Sequence, residues 1–155
     1  METKITADQT EKDFHENLMA RSITMKLNSK GNPIKVQIPP AFGGLGGPGN
    51  HSPEELFLGA ISGCFFTTFC VLSKNSRFDF KHISISTTGY LEKNEDGVQI
   101  MKKAVQTIVL TIEDEKHQEK AKRLLEKTEN YCPIANSVKT EIVNEISVQI
   151  DENRR

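Results

Sequence analysis

Leu56 to Ser73 is a run of 18 residues without one charged side chain, in a chain where 26% of residues are Asp, Glu, Lys or Arg. A run of that length is either a membrane span or a helix buried on all sides in a soluble fold. It contains Gly59, Ser62, Gly63, Thr67, Thr68 and Ser73, and neither flank carries an aromatic belt, which argues for the buried helix. Ser52-Pro53-Glu54-Glu55 marks its start: Ser52 is the N-cap, Pro53 fills the first helical position and Glu55 closes a capping box. Glu55 thus has a structural task, whereas Glu54 has none beyond favourable placement against the helix dipole. The helix is read over Pro53 to Ser73.

The rest of the chain is long enough to wrap that helix in one domain, residues 1–155. Residues 19–27 alternate, with Met19, Arg21, Ile23, Met25 and Leu27 on one face; Asn28-Ser29-Lys30-Gly31-Asn32 reads as a hairpin loop. A second strand with Ile34, Val36 and Ile38 inward stops at Pro39-Pro40. Two longer strands, His82 to Leu91 and Val98 to Ile112, flank the turn Asn94-Glu95-Asp96-Gly97. A polar helix follows from Asp114 to Glu129, then a shorter one opened by Tyr131-Cys132-Pro133, then a strand over Ile142 to Ile150. Two strands, helix, two strands, helices, strand is an α+β order.

Composition narrows the function. Net charge of -1 leaves no broad basic surface for nucleic acid. Three cysteines are too few and too odd for a disulfide framework, which favours a reducing compartment. Met1 to Lys12 lacks the apolar core of a secretion signal and reads as a tail, so the expected setting is cytoplasmic, with no membrane. The four histidines show no metal-ligand spacing, and no metal or cofactor is expected.

Gly44-Leu45-Gly46-Gly47-Pro48-Gly49 matches a dinucleotide-binding pattern, but Pro39-Pro40 stand where its buried strand should be, so a tight-turning connector is the better reading. Cys64, mid-helix, reads alone as a buried core thiol, and so does Cys70. Cys132 precedes Pro133 at a helix start, where it is either a thiolate favoured by free N–H groups or a small cap residue. Arg21 lies on the apolar face of its strand. It requires a carboxylate or thiolate partner there, unless it reaches solvent along its own stem.

Ser52-Pro53-Glu54-Glu55-Leu56-Phe57, Ser62-Gly63-Cys64-Phe65 and, far downstream, Tyr131-Cys132-Pro133-Ile134 together resemble the OsmC/Ohr proteins (osmotically inducible protein C and organic hydroperoxide resistance protein). The glycine-rich segment before the helix also fits, and the likeness covers about Arg21 to Val148. It implies the OsmC-like fold, antiparallel sheets around a long buried central helix, in an intertwined homodimer. It further implies a peroxide-reactive Cys64, a resolving Cys132, an activating pair in Glu54 and Arg21, and recycling by an external dithiol, lipoyl-type in the better-understood branch. The implied substrate is an organic hydroperoxide.

Under that resemblance, Arg21 stabilises the Cys64 thiolate and Glu54 holds the guanidinium. Glu54 and Cys64 are ten residues apart, about 15 Å along a straight helix. They cannot touch within that helix but can meet if two copies of it cross antiparallel near Gly59, where no Cβ separates the backbones. Phe42, Phe65, Phe66 and Phe69 are candidates for an apolar entrance, with ordinary core as the plainer role for at least two. Two other readings stand: a non-catalytic OsmC-like dimer that binds a hydrophobic small molecule or partner, and a structural dimer with inert thiols.

Overall fold

The computed structural model describes residues 3–6, 22–27, 33–44 and 49–151. Two compact units divide the chain at Phe57 and Leu58.

In the first unit, strands β1 (Thr3–Thr6), β2 (Ser22–Leu27), β3 (Ile34–Gln37) and β4 (Asn50–His51) form one sheet in that order. β2 and β3 pair antiparallel from Ser22↔Gln37 to Met25↔Ile34, the pairing expected of the hairpin. β1 departs from the sequence reading, which put Thr3–Thr6 in a tail; this strand pairs antiparallel with Thr24–Leu27. A four-residue strand is too short for its alternation to register, and backbone pairing to β2 defines it. After β3, Pro40–Phe42 form a single 3-10 turn closed by Gly43 at φ 80°. A Cβ on Gly44 would sit 1.8 Å from the Ile38 carbonyl oxygen, so only glycine fits there. The tight-turn reading of the glycine segment holds at these two positions, and residues 45–48 lie outside the described residues.

Helix α1 runs over Pro53–Asn75. Its start is the expected capping box: the Ser52 amide donates to Glu55 Oε2 at 2.8 Å, and the Glu55 amide donates to Ser52 Oγ at 3.0 Å. The helix ends on a Schellman motif in which the Phe78 amide donates to the Ser73 carbonyl and the Arg77 amide to that of Lys74. Arg77 occupies the left-handed position at φ 47°, where glycine is usual.

In the second unit, β5 (His82–Lys93), β6 (Gln99–Ile112) and β7 (Glu141–Ile150) form a sheet in that order. The β5–β6 turn is tied by Asn94, whose side chain accepts from the amides of Asp96 and Val98, with Gly97 at φ 78°. β6 and β7 pair in parallel, and so do β3 and β4, so both sheets are mixed rather than wholly antiparallel. The reason is the connection: β7 is reached through helix α2 (Gln118–Tyr131), and such a crossover returns the chain to the same end of the sheet. Phe65 and Phe69 of α1, Ile108, Leu110 and Ile112 of β6, and Ala121, Leu124 and Leu125 of α2 form one buried cluster.

By length and apolarity alone α1 would pass for a membrane span. Its buried residues are instead one stripe, Ile61, Phe65, Phe69 and Ser73, spaced four apart. The expectation of burial on all sides fails for the other face within one chain. Phe66 is 42% exposed and Val71 58%, and added Cβ atoms on Gly59 or Gly63 would meet nothing within 4 Å.

Candidate active site

Cys64 is half-buried in the middle of α1, and Cys132 caps the C-terminus of α2 at 1% exposure. The two thiols are unbonded and close enough that a hydrogen bond and the charge of Cys64 both act on the Cys132 thiol. Seventy residues of chain separate Cys64 from Ile134, yet the Ile134 amide donates to Cys64 Sγ at 3.5 Å.

A self-bonded turn makes that possible. The Cys132 carbonyl accepts from the Asn136 amide at 3.1 Å and from Asn136 Nδ2 at 2.9 Å; Asn136 Nδ2 also donates to the Asn130 carbonyl. Ser137 Oγ donates to the Pro133 carbonyl at 2.7 Å. Pro133 prevents α2 from continuing, and the hydrogen bonds of Asn136 and Ser137 fold the chain back.

This turn corrects the cap reading of Cys132. The shorter helix expected after Pro133 is one 3-10 turn, Ala135–Ser137, with too few aligned peptides for a useful dipole. Burial pushes the Cys132 thiol above its ordinary value. The Ala135 amide pulls it down, the hydrogen bond and charge of Cys64 raise it again, and the Ile134 amide lowers it. Cys132 is therefore held as a neutral thiol, suited to acting second.

Glu54 stands in the first unit. Its Oε2 is buried with no hydrogen-bond partner among the described residues. It lines a cavity of about 400 Å³ with Val36, Gln37, Ile38, Pro39, Phe42 and Pro53. Arg21 lies outside the described residues. Of the four phenylalanines, Phe42 borders that cavity and is 38% exposed, Phe66 is exposed, and Phe65 and Phe69 are core. The structure thus brings Cys64 and Cys132 together and gives Glu54 its own cavity. The Ile134 amide escaped the sequence reading because backbone donors leave no mark on residue type.

The OsmC-like protein family profile matches residues 46–147, well over half of the chain. The chain belongs to the OsmC-like family. The organic hydroperoxide resistance protein-like 2 of Staphylococcus saprophyticus subsp. saprophyticus is 31% identical over 118 residues, covering 75% of this chain and 79% of the relative. An OsmC-like protein of unknown function from Vibrio cholerae superposes with a TM-score of 0.77 at 23% identity, covering 95% of this chain and 97% of its own. An organic hydroperoxide resistance protein from Elizabethkingia anophelis superposes at 0.70 and 18% identity, with 97% of each chain covered. These likenesses establish the OsmC-like fold, and the α+β class read from the sequence is the one observed, with β1 and β4 added to the strands expected. In that setting the apolar α1 is a core helix of the fold, not a membrane signal.

Proposed function

We propose that this OsmC-like protein is a cytoplasmic thiol peroxidase that reduces organic hydroperoxides to alcohols. The observation that carries the reading is the pair of unbonded thiols close together, with the Ile134 N–H on one sulfur and burial keeping the other protonated.

In the first step the Cys64 thiolate attacks the distal peroxide oxygen. The O–O bond breaks, the leaving alkoxide takes a proton to become the alcohol, and Cys64 becomes a sulfenic acid. Cys132 then loses its proton and attacks the Cys64 sulfur. The S–O bond breaks, water leaves, and a Cys64–Cys132 disulfide forms. An external dithiol, of which a lipoyl-type compound is one candidate, takes up the oxidation and returns both thiols. Burial of Cys132 fits this order, since it keeps the second sulfur protonated until the first has reacted.

Glu54 and Arg21 complete the reading. A buried carboxylate oxygen without a donor among the described residues suits a hydrogen-bonding cation. Arg21 directly precedes Ser22, whose register partner Gln37 lines the Glu54 cavity. The open face of α1 supports a homodimer in this reading. Gly59 and Gly63 leave space for a second backbone, while Phe66 and Val71 offer apolar area to bury. Two helices crossing antiparallel near Gly59 would bring Glu54 of each toward Cys64 of the other.

The test is turnover of cumene hydroperoxide with a supplied dithiol. Wild type should turn over and Cys64→Ser should fall by about a thousandfold or more. Equal rates would remove the proposed nucleophile.

A further inference from the structure

One polar row crosses the otherwise apolar inner face of the second sheet. Thr87, Gln106 and Asn144 are direct register partners on β5, β6 and β7. The rows two residues away on the same face are Ile85–Ile108–Ile146 and Gly89–Ala104–Ile142. Gln106 is 1% exposed, so its amide has to find partners inside the protein.

Those partners form a chain. Ser62 Oγ and Thr87 Oγ1 are 2.6 Å apart, and Thr87 Oγ1 donates to Gln106 Oε1 at 3.4 Å. Gln106 Nε2 donates to Asn144 Oδ1 at 2.7 Å, and Asn144 Nδ2 donates to Glu129 Oε1 at 2.5 Å. A carboxylate can only accept, so from Thr87 onward each donor points toward Glu129, and each bond polarises the next. The ends are informative. Ser62 lies two residues before Cys64 on α1, and Glu129 lies three before Cys132 on α2, where its carbonyl accepts from the Cys132 amide at 3.4 Å. The row therefore ties the helix that carries one sulfur to the helix end that carries the other.

We propose that Thr87, Gln106, Asn144 and Glu129 are positioning residues that hold the Cys132 turn in register over Cys64 and so set how fast the two sulfurs join. The inference deepens the dithiol reading above, but it concerns sulfur–sulfur approach and not peroxide, so the test needs none. Apolar residues in the row would pack against both helices equally well at neighbouring positions. A directional polar row accepts one register only.

The test uses reduced full-length protein and oxidised glutathione. The Cys64 thiolate attacks glutathione disulfide and expels one glutathione thiolate; the Cys132 thiolate then attacks the Cys64 sulfur and expels the second. Two protein thiols are oxidised and one glutathione disulfide is reduced. Quenching with an alkylating agent separates the two steps. Asn144→Asp sets two carboxylates against each other and should slow the second step at least about tenfold. Adding Glu129→Gln restores a donor at residue 129 to an acceptor at residue 144 and should bring closure back to within about threefold of wild type. Closure of Asn144→Asp at the wild-type rate, measured below its unfolding temperature, would overturn the proposal. Failure of the double substitution to restore closure would do the same. Should Asn144→Asp not fold, Thr87→Val breaks one link at constant shape and should slow closure about threefold, with a wild-type rate again contradicting the proposal. Wild type that closes with glutathione disulfide but ignores cumene hydroperoxide would sink the peroxidase reading and leave this one standing.

Discussion

The two halves of the candidate site are furnished differently. Cys64 and Cys132 sit among matched groups, with the Ile134 amide on one sulfur, Asn136 and Ser137 closing the turn, and burial around the other. Glu54 has a buried oxygen and no donor among the described residues. The sulfur pair thus finds its hydrogen-bond partners within its own unit, whereas the buried carboxylate oxygen has none among the described residues. On the proposed reading the contrast separates two tasks: joining sulfurs, assigned to groups of the second unit, and activating one of them for peroxide, assigned to Glu54 with Arg21.

That division can be broken experimentally. Arg21→Met should lower the rate of the Cys64–peroxide reaction by about a hundredfold, with closure by oxidised glutathione reduced far less, because only the first depends on the guanidinium. Glu54→Leu should lower the peroxide rate similarly and destabilise the fold by about 3 kcal/mol if it leaves Arg21 unpaired. A stabilised Glu54→Leu variant would mean that the carboxylate has no cation. Stopped-flow kinetics and chemical denaturation measure both.

The pH dependence sharpens the other half. The Cys132 thiol is held above its ordinary value, chiefly by burial. Below that value its thiolate fraction grows about tenfold per pH unit, so closure should accelerate about a hundredfold between about pH 7 and 9 without levelling off. Levelling near neutrality would contradict a buried neutral thiol. The stability effect has a definite sign. With the folded value raised, the contribution is fully present below the unfolded thiol value and is lost as pH rises through the folded one. Cys132→Ala should remove that alkaline loss, as read from thermal midpoints across pH.

Gly59→Leu tests whether the open face of α1 is covered by a second copy. It should shift the protein toward monomer in analytical ultracentrifugation, and the peroxide rate should drop with it. A dimeric, fully active variant would exclude the crossing at residue 59. The smallest effect belongs to the end of α1. Arg77→Gly should raise stability by about 1 kcal/mol, since glycine enters the left-handed region without a Cβ penalty. An unchanged thermal midpoint would show that the Schellman geometry carries no strain.

Much of this was legible in the residues, and the gaps have physical causes. Ser52, Pro53 and Glu55 announce the start of α1 because capping chemistry is local. Alternation in β6 and β7 announces their buried faces because side chains repeat every two residues. Strand direction leaves no such trace: Ile142, Ile146 and Val148 alternate identically in a parallel or antiparallel partner, so the mixed sheets had to be seen. Cys132 shows the limit of cap reasoning. Pro133 suits a helix start and a helix stop equally, and hydrogen bonds from Asn136 and Ser137 decided for a turn. Gln106, between Ala104 and Ile108 on the buried parity of β6, was the overlooked signal. A polar residue there requires partners, and they lead toward both cysteines.

The central claim is that Cys64 and Cys132 are the reacting pair. Reduced protein should be treated with one equivalent of cumene hydroperoxide, quenched with an alkylating agent, and mapped by peptide mass spectrometry. The account predicts loss of two thiols, with a Cys64–Cys132 cross-link and Cys70 alkylated as in the untreated protein. All three cysteines left reduced, or a disulfide that includes Cys70, would contradict it.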